Sequence, residues 1–375
     1  MFNKNKKNTY FITGGGTGGH IYPAVSVIDG LINSNVNKED IFYLGNPNNL
    51  EYEIATKNGY NFLPYIVNGM PRKIGIDLFL WFGVLFLSIF RAMSYVFKYK
   101  PSVIFATGGY VCAPILFCAI IFKIPYVLHD CDIQPGIVTR FFAPSAKSVS
   151  LAFDDAKKFI KSKNINVLGN PIRQEFKMVS KKQARAELSL GDDFTILIMG
   201  GSLGAKTIND SAFKIVKEFV NKDGFKIVWQ TGKKNFDDVT KKLLEQFGEI
   251  PHNLVLQPYF DKMYLTLLSS DVVISRAGSL SLSEICASSL PSILIPYPHA
   301  SQNHQYKNAL SLVKSNIALM LEDKDCTNDS LYEMLNNLIN DKKLLSDLSY
   351  NAFKNAKLNA TSDIVELIKR VVEKK

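Results

Sequence analysis

The segment Gly14-Gly15-Gly16-Thr17-Gly18-Gly19-His20 places five glycines in six positions and closes on an imidazole. It follows a short β-type run at 10–13 and leads into a helix-like run near Ile21. Without Cβ atoms the backbone can turn tightly, adopt positive φ and approach a ligand closely. A strand-to-helix turn of this kind aims N–H groups and the positive end of a helix dipole at one point, where an anion is stabilised. A tight turn that binds nothing is the plainer alternative. A second glycine turn, Gly200-Gly201-Ser202-Leu203-Gly204, follows the strand-like run 194–199. Two such turns nearly half a chain apart predict two similar domains.

Other groups suited to chemistry fall at strand ends. Thr107-Gly108-Gly109-Tyr110 follows the run 103–106, and His129-Asp130-Cys131-Asp132 closes the run 126–129. The latter is expected to bring two carboxylates and an imidazole to the sheet edge; Asp132 as the N-cap of a helix near Gln134 is the alternative. In the second half, 275–284 follows a strand and opens a helix with small residues. Glu284, a turn and a half in, could accept from vicinal hydroxyls of a ribose or simply complement the helix dipole. The loop 296–306 is dense in amides and imidazole, suited to sugar hydroxyls. The histidines at 20, 129, 252, 299 and 304 lack metal-ligand spacing, and no paired aspartates follow a strand.

The elements that must position these groups alternate. Strand-like runs at 10–13, 41–44, 62–67, 103–106, 126–129 and 148–151 are separated by helical patterns, as in parallel βαβ units. The pattern pauses at 167–171, where Pro171 keeps the preceding residue extended, and the domain junction is expected there. A second set follows at 194–199, 226–230, 254–256, 272–275 and 292–295. The run 362–372 is apolar along one helical face. With 375 residues there is room for two cores, and 47% hydrophobic against 21% charged residues excludes a disordered chain. The net charge of +10 calls for an acidic partner: nucleic acid, a nucleotide-like substrate or an anionic membrane. Cysteines 112, 118, 131, 286 and 326, odd in number and without CxxC spacing, read as reduced thiols. The basic N-terminus leads into too few apolar residues for a signal peptide.

The segment 78–97 carries only one charge, Arg91, and is long enough to span a bilayer. Asp77, Ser88, Arg91, Ser94 and Lys98 fall on one narrow helical stripe. Basic residues flank both ends (Arg72, Lys73; Lys98, Lys100), so positive-inside asymmetry does not favour spanning. The expectation is a crossover helix whose apolar face rests on anionic lipid.

Gly-Gly-Thr-Gly-Gly-His at 15–20, Gly-Gly-Tyr at 108–110, Gly-Asn-Pro-Ile-Arg at 169–173, Gly-Gly-Ser-Leu-Gly-Ala at 200–205, the stretch 276–284 and His304-Gln305 occur in order. With these motifs the chain resembles, essentially end to end, the MurG family of peptidoglycan N-acetylglucosaminyltransferases. The resemblance implies an α/β GT-B fold, two Rossmann-like parallel-sheet domains with a cleft between them and no metal or other cofactor. It implies an acceptor- and membrane-associating domain over 1–170, joined by a returning helix at 360–375, and a UDP-sugar domain over 171–359. The implied substrates are UDP-N-acetylglucosamine and undecaprenyl-diphosphate-linked muramoylpentapeptide, joined at the C4 hydroxyl with inversion. The implied location is the cytoplasmic face of the inner membrane, held peripherally on an anionic surface, with no nucleic acid. By position, Thr17, Gly18 and Gly19 would meet donor or acceptor diphosphate, with Tyr110 in the neighbouring turn. Arg173 and Ser202 would lie on the nucleotide side, Phe260 would read uracil through its backbone, and Ser279 and Leu280 would follow the diphosphate. Glu284 would hold ribose, and His304 and Gln305 the sugar.

There are departures. The family usually has His-Glu-Gln-Asn where this chain has His129-Asp130-Cys131-Asp132, so Asp132 loses an amide donor toward the sugar and Asp130 is a methylene short. Leu203 replaces a common Gln, and Gln302 stands where an acid is frequent. Inversion needs a general base near the acceptor hydroxyl. His20 is of the residue type whose charge changes near neutral pH, and Asp130 is the alternative. A GT-B transferase using another lipid acceptor, such as diacylglycerol, is the nearest competing reading. A dinucleotide oxidoreductase is disfavoured, because Gly45 and Asn46 stand where the acid after the second strand is expected. A membrane scaffold leaves the polar loops unexplained.

Overall fold

The computed structural model describes residues 8–71, 75–201, 204–220 and 222–374. Its contacts divide the chain into two compact units, one of Met1–Ile172 with Asn359–Lys375 and one of Arg173–Leu358. Among the described residues the first holds seven strands: β1 Tyr10–Thr13, β2 Ile41–Gly45, β3 Asn61–Pro64, β4 Val103–Ala106, β5 Tyr126–Asp130, β6 Ser148–Leu151 and β7 Ile165–Val167. They lie in the order β3-β2-β1-β4-β5-β6-β7. The second holds six: β8 Phe194–Met199, β9 Phe225–Gln230, β10 Leu254–Gln257, β11 Val272–Ser275, β12 Ser292–Leu294 and β13 Ala318–Met320, in the order β10-β9-β8-β11-β12-β13. The pairings flanking β1 and β8 are parallel, as the βα alternation requires. Both sheets reverse direction of growth beside their first strand, between β1 and β4 and between β8 and β11. Loops at that switch point leave a crevice at the carboxyl ends of the strands.

The first core covers both faces of its sheet because successive strand residues point to opposite sides. Phe11 packs with Ile104, Ala106 and the helix Ala113–Ile121 on one face. Tyr10 and Ile12 pack with Ala24, Val27 and Ile28 of the helix Gly18–Asn33 on the other. The C-terminal helix Ala360–Glu373 adds Ile364, Val365, Ile368 and Val371 to that second face.

The apolar segment forms one 24-residue helix, Ile76–Tyr99, the crossover from β3 to β4. It packs against the helix Ala113–Ile121 and buries Ser88, Ala92, Tyr95 and Val96. Tyr95 donates its hydroxyl to Pro64 O at 2.7 Å, and Trp81 donates Nε1–H to Asn68 O at 2.8 Å. By length and composition the helix could cross a membrane, yet it is integral to the domain. Its outward face is apolar: Phe79, Phe82, Phe86, Leu87 and Phe90 are all more than half exposed. The expected polar stripe is split, since Ser88 turns inward and donates to Val84 O while Arg91 and Ser94 are exposed. Arg72, Lys73 and Ile74 lie outside the described residues.

Strand ends differ from expectation where backbone chemistry intervenes. β3 stops at Pro64 instead of continuing to Val67, because its partner β2 ends at Gly45, whose carbonyl takes the Tyr65 N–H at 3.0 Å as the last bond of the pairing. The helix expected near Gln134 begins at Ile137 after the extended Gly136, so Asp132 is not its N-cap.

The terminal helix seats against the first through a missing side chain. A Cβ on Gly30 would lie 2.9 Å from both Thr361 Cγ2 and Val365 Cγ2, branched groups that cannot swing aside. Gly30→Val should lower the stability of this unit by about 1–3 kcal/mol, an overpacking cost. Chemical denaturation checks it; an unchanged midpoint would show that the two helices are not in this contact.

Candidate active site

In the first unit the two glycine turns interlock. A Cβ on Gly14 would fall 1.8 Å from Thr107 Oγ1, and one on Gly109 2.4 Å from Gly15 O, so these contacts admit glycine alone. Thr107 Oγ1 donates to His20 O at 2.6 Å, and its carbonyl lies 2.9 Å from His20 Nδ1. A carbonyl only accepts, so Nδ1 carries the hydrogen and the neutral ring keeps its lone pair on Nε2. Gly108 and Gly109, at φ +95° and +81°, lay bare backbone along the imidazole; their Cβ positions would be 3.2–3.3 Å from its atoms. The half-buried His20 is thus fixed in orientation and tautomer. It occupies the first turn of the helix Gly18–Asn33 with Gly18 and Gly19, whose early N–H groups have no intrahelical acceptor by position. Thr17 precedes them, extended and exposed. Tyr110 lays its ring against Gly16 and accepts from Asn49 Nδ2 at 3.3 Å.

The His129–Asp132 segment turns inward more than its sequence suggests. His129 is fully buried, its ring nitrogens 3.1 Å from Ser150 Oγ and from Asn170 Oδ1. Burial pulls its pKa down to about 4, with the Asn170 hydrogen bond opposing. The imidazole expected at the sheet edge is therefore a neutral core group. Asp130 is also buried; it accepts from Asp132 N at 3.2 Å and from Gly136 N at 3.0 Å. Burial raises its pKa, the Asp132 charge raises it further, and the Thr139 hydroxyl and the charge of His20 oppose this. Cys131 donates its thiol to Gly19 O at 3.1 Å, and Asp132 is half-buried beyond it.

In the second unit, Gly201 and Gly204 take φ of +83° and +77° after β8. A Cβ on Gly204 would meet Thr231 O at 2.2 Å. Ser202 and Leu203 lie outside the described residues. Gln230, at the end of β9 and buried, donates to Gly201 O at 3.2 Å and accepts from Phe260 N at 2.9 Å. The Phe260 N–H is thus engaged within the protein. Arg173 donates to Asp261 O at 3.3 Å and bears electrostatically on Glu284, so the two residues are brought together. Glu284 lies in the helix Ser279–Ala287, which begins with Ser279 and Leu280 beside the extended Gly278. Burial raises the Glu284 carboxyl to about 7, the Arg173 guanidinium opposing.

Gln305 Oε1 accepts from Ala277 N at 3.2 Å and from Tyr297 N at 3.0 Å, fastening the turn after β11 to the loop after β12. Its oxygen is committed, and recognition through Gln305 falls to its NH₂ group. His304 donates Nδ1–H to Ser301 O at 2.8 Å. Arg276 pairs with the Asp323 carboxylate, donates to Ile295 O at 3.1 Å, and lies over the Tyr297 ring. Gln230 and Asp323, and Glu51 in the first unit, were not singled out by the sequence, and Arg276 entered only as the first residue of the stretch 276–284. A polar residue closing a buried strand was the available signal for Gln230; the others depend on tertiary contacts.

Two parallel-sheet units with glycine turns at their switch points are the architecture of the GT-B fold. The profile of the glycosyltransferase family 28 N-terminal domain matches residues 10–151, and that of its C-terminal domain matches 195–368. The UDP-N-acetylglucosamine–N-acetylmuramyl-(pentapeptide) pyrophosphoryl-undecaprenol N-acetylglucosamine transferase of Desulforamulus reducens is 33% identical over 365 residues, covering 96% of this chain and 98% of that protein. The transferase of the same name from Halothermothrix orenii is 34% identical over 363 residues, covering 95% and 97%. The crystal structure of Acinetobacter baumannii MurG superposes with a TM-score of 0.74 at 23% identity, covering 97% of this chain and 99% of that one, a likeness of fold. The chain belongs to the MurG family of N-acetylglucosaminyltransferases within glycosyltransferase family 28.

The raised Glu284 carboxyl has a thermodynamic consequence. Its pKa is higher in the folded protein (about 7) than the ordinary value of 4.5 that it has in the unfolded chain, so the folded protein binds the extra proton. Stability from this group is fully present below the unfolded pKa and is lost as pH rises through about 7. The shift corresponds to at most about 3 kcal/mol. Glu284→Gln should therefore gain on the wild type between pH 5 and pH 8 in denaturation of the second unit. Parallel pH dependence in the two proteins would contradict this.

Proposed function

We propose that this chain transfers N-acetylglucosamine from UDP-N-acetylglucosamine to the C4 hydroxyl of undecaprenyl-diphospho-muramoylpentapeptide, with inversion, as a step of peptidoglycan synthesis. The observation that carries the reading is full-length identity of 33–34% to transferases named for that donor and acceptor. The acceptor hydroxyl gives its proton to His20 Nε2 as its oxygen bonds to the anomeric carbon. The bond from that carbon to the UDP oxygen breaks, and UDP leaves with the electron pair. The tautomer set by Thr107 favours His20 as this base, because Nε2 is the free acceptor. Asp130, with both oxygens engaged by loop N–H groups, acts as a positioning group.

Thr17, Gly18 and Gly19 hold diphosphate at the helix N-terminus, with Tyr110 beside them and Asp132 toward the sugar. On the donor side Ser279 and Leu280 line the diphosphate, Arg173 and Ser202 offset the charge of departing UDP, and Phe260 meets uracil through its backbone. Glu284 accepts from the ribose hydroxyls, and Gln305 and His304 hold the sugar.

The enzyme is held peripherally on the cytoplasmic face of the membrane. An acceptor with a polyprenyl tail is anchored there by about 0.8 kcal/mol per buried CH₂, and the exposed phenylalanine row of the helix Ile76–Tyr99 supplies a matching apolar face. Lys98 and Lys100 add attraction to anionic headgroups, with Arg72 and Lys73 at the other flank.

The reading is tested by incubating purified protein with radiolabelled UDP-N-acetylglucosamine and either polyprenyl-diphosphate-linked muramoylpentapeptide or diacylglycerol. Label is expected on the first acceptor alone; transfer to diacylglycerol, or to neither, overturns the proposal. His20→Ala should lower turnover about 10²–10⁴-fold with donor affinity retained, the cost of losing a general base. Unchanged turnover with weakened acceptor binding would make His20 a phosphate ligand. Phe82→Glu and Phe86→Glu should retain the melting temperature but weaken sedimentation with anionic vesicles, since both side chains are exposed. Wild-type protein extractable only by detergent, with one flank shielded from protease in sealed vesicles, would establish a spanning helix instead.

A further inference from the structure

We propose that Glu51 is a positioning residue of the acceptor-side glycine turn, taking the Gly16 N–H from beneath and leaving the N–H groups of Gly18 and Gly19 to face the ligand. The proposal rests on the reading of that turn as a diphosphate site. Glu51 is the second residue of the helix Leu50–Lys57, where an acid commonly complements the dipole from solvent. This one is fully buried instead. Its Oε2 accepts from Gly16 N at 3.5 Å, and its Oε1 from Asn46 N at 3.3 Å and Asn49 Nδ2 at 3.4 Å. Three N–H donors suit a carboxylate, which accepts and does not donate.

Space around the carboxylate has been cleared by two glycines. A Cβ on Gly15 would lie 2.6 Å from Glu51 Oε1, and one on Gly45 2.8 Å from Glu51 Cγ. Neither glycine has positive φ, so it is the side chain of Glu51 and its neighbours, not backbone conformation, that excludes a larger residue at both positions. The same carboxylate reaches the second turn, because Asn49 Nδ2 also donates to Tyr110 Oη at 3.3 Å, and the Tyr110 ring abuts Gly16. Gly15 in turn presents its carbonyl to Gly109, which flanks the His20 ring. Glu51 therefore sets Gly15 and Gly16 against the surface that fixes the imidazole.

The negative charge also bears on where an anion can sit. A run of glycine N–H groups attracts anions along its whole length. A carboxylate under Gly16 satisfies that N–H and repels a second negative group there, which directs diphosphate toward the helix end at Gly18 and Gly19.

Glu51→Gln keeps the shape, but replaces one accepting oxygen by an NH₂ that meets an N–H donor. Amide hydrogen exchange read by NMR in the wild type should show Gly16 slower than Gly18 and Gly19; equal rates overturn the proposal without any variant. In Glu51→Gln the Gly16 amide should exchange at least about tenfold faster, from loss of its charged acceptor. Turnover should fall by a similar factor, while UDP-N-acetylglucosamine affinity stays within about twofold, because the contacts proposed for the UDP moiety lie on the other unit. Turnover and Gly16 exchange both at wild-type values would overturn the assignment, as would turnover and donor affinity falling in step, the pattern of general structural damage. A wild type that transfers no sugar to the lipid acceptor would instead defeat the functional reading, and the exchange comparison would still judge Glu51.

Discussion

The site in the first unit depends on the pairing of β1 with β4 and on what Thr107 does at its end. Thr107 continues the ladder by donating its N–H to Thr13 O at 2.9 Å. It then donates its hydroxyl to His20 O and takes Nδ1–H of the same residue on its carbonyl. One residue thus joins the strand register, the first helical turn and the tautomer of the imidazole. The glycines follow from this constraint, since side chains at 14 or 109 would separate the strands' loops. Packing at the switch point and the orientation of the imidazole are set by the same contacts.

The second unit uses the same logic with other groups. Gln230 ties Gly201 to Phe260, Gln305 ties Ala277 to Tyr297, and Arg276 with Asp323 anchors the backbone at Ile295 and Pro296. Each is a polar side chain that satisfies backbone groups which would otherwise be left without partners. Glycine turns are free in conformation, and entropy opposes holding them in one shape. Buried amides, a guanidinium and carboxylates supply the order that glycine sequences lack.

The α/β class and most of the parallel strands were legible in the sequence, because their apolar runs are short, β-branched and set between helical patterns. β7 and β13 escaped notice: each has three residues, lies at a sheet edge and is only partly buried, so little hydrophobic signal marks it. The glycine turns and His20 were legible because glycine at a strand end states a backbone requirement directly. The inward turn of His129 and Asp130 was not, since a polar residue closing a strand reads alike whether it faces ligand or loop N–H groups. Glu51 was hidden for a related reason. An acid early in a helix has an ordinary explanation, and only the missing Cβ atoms at Gly15 and Gly45, far apart in the chain, disclose its burial. The crossover helix showed its apolar character in sequence, whereas the face it turns outward followed from packing on Ala92, Tyr95 and Val96.

The central physical claim is that Thr107 holds the His20 imidazole with hydrogen on Nδ1 and a lone pair on Nε2. Protein labelled with ¹⁵N-histidine, assigned through a His20→Gln variant and observed with the ring neutral, tests it directly. The His20 signals should show a protonated, pyrrole-type Nδ1 and an unprotonated, pyridine-type Nε2. The opposite pattern, with hydrogen on Nε2, would leave that nitrogen unable to accept the proton that the proposed mechanism assigns to it and would contradict the account.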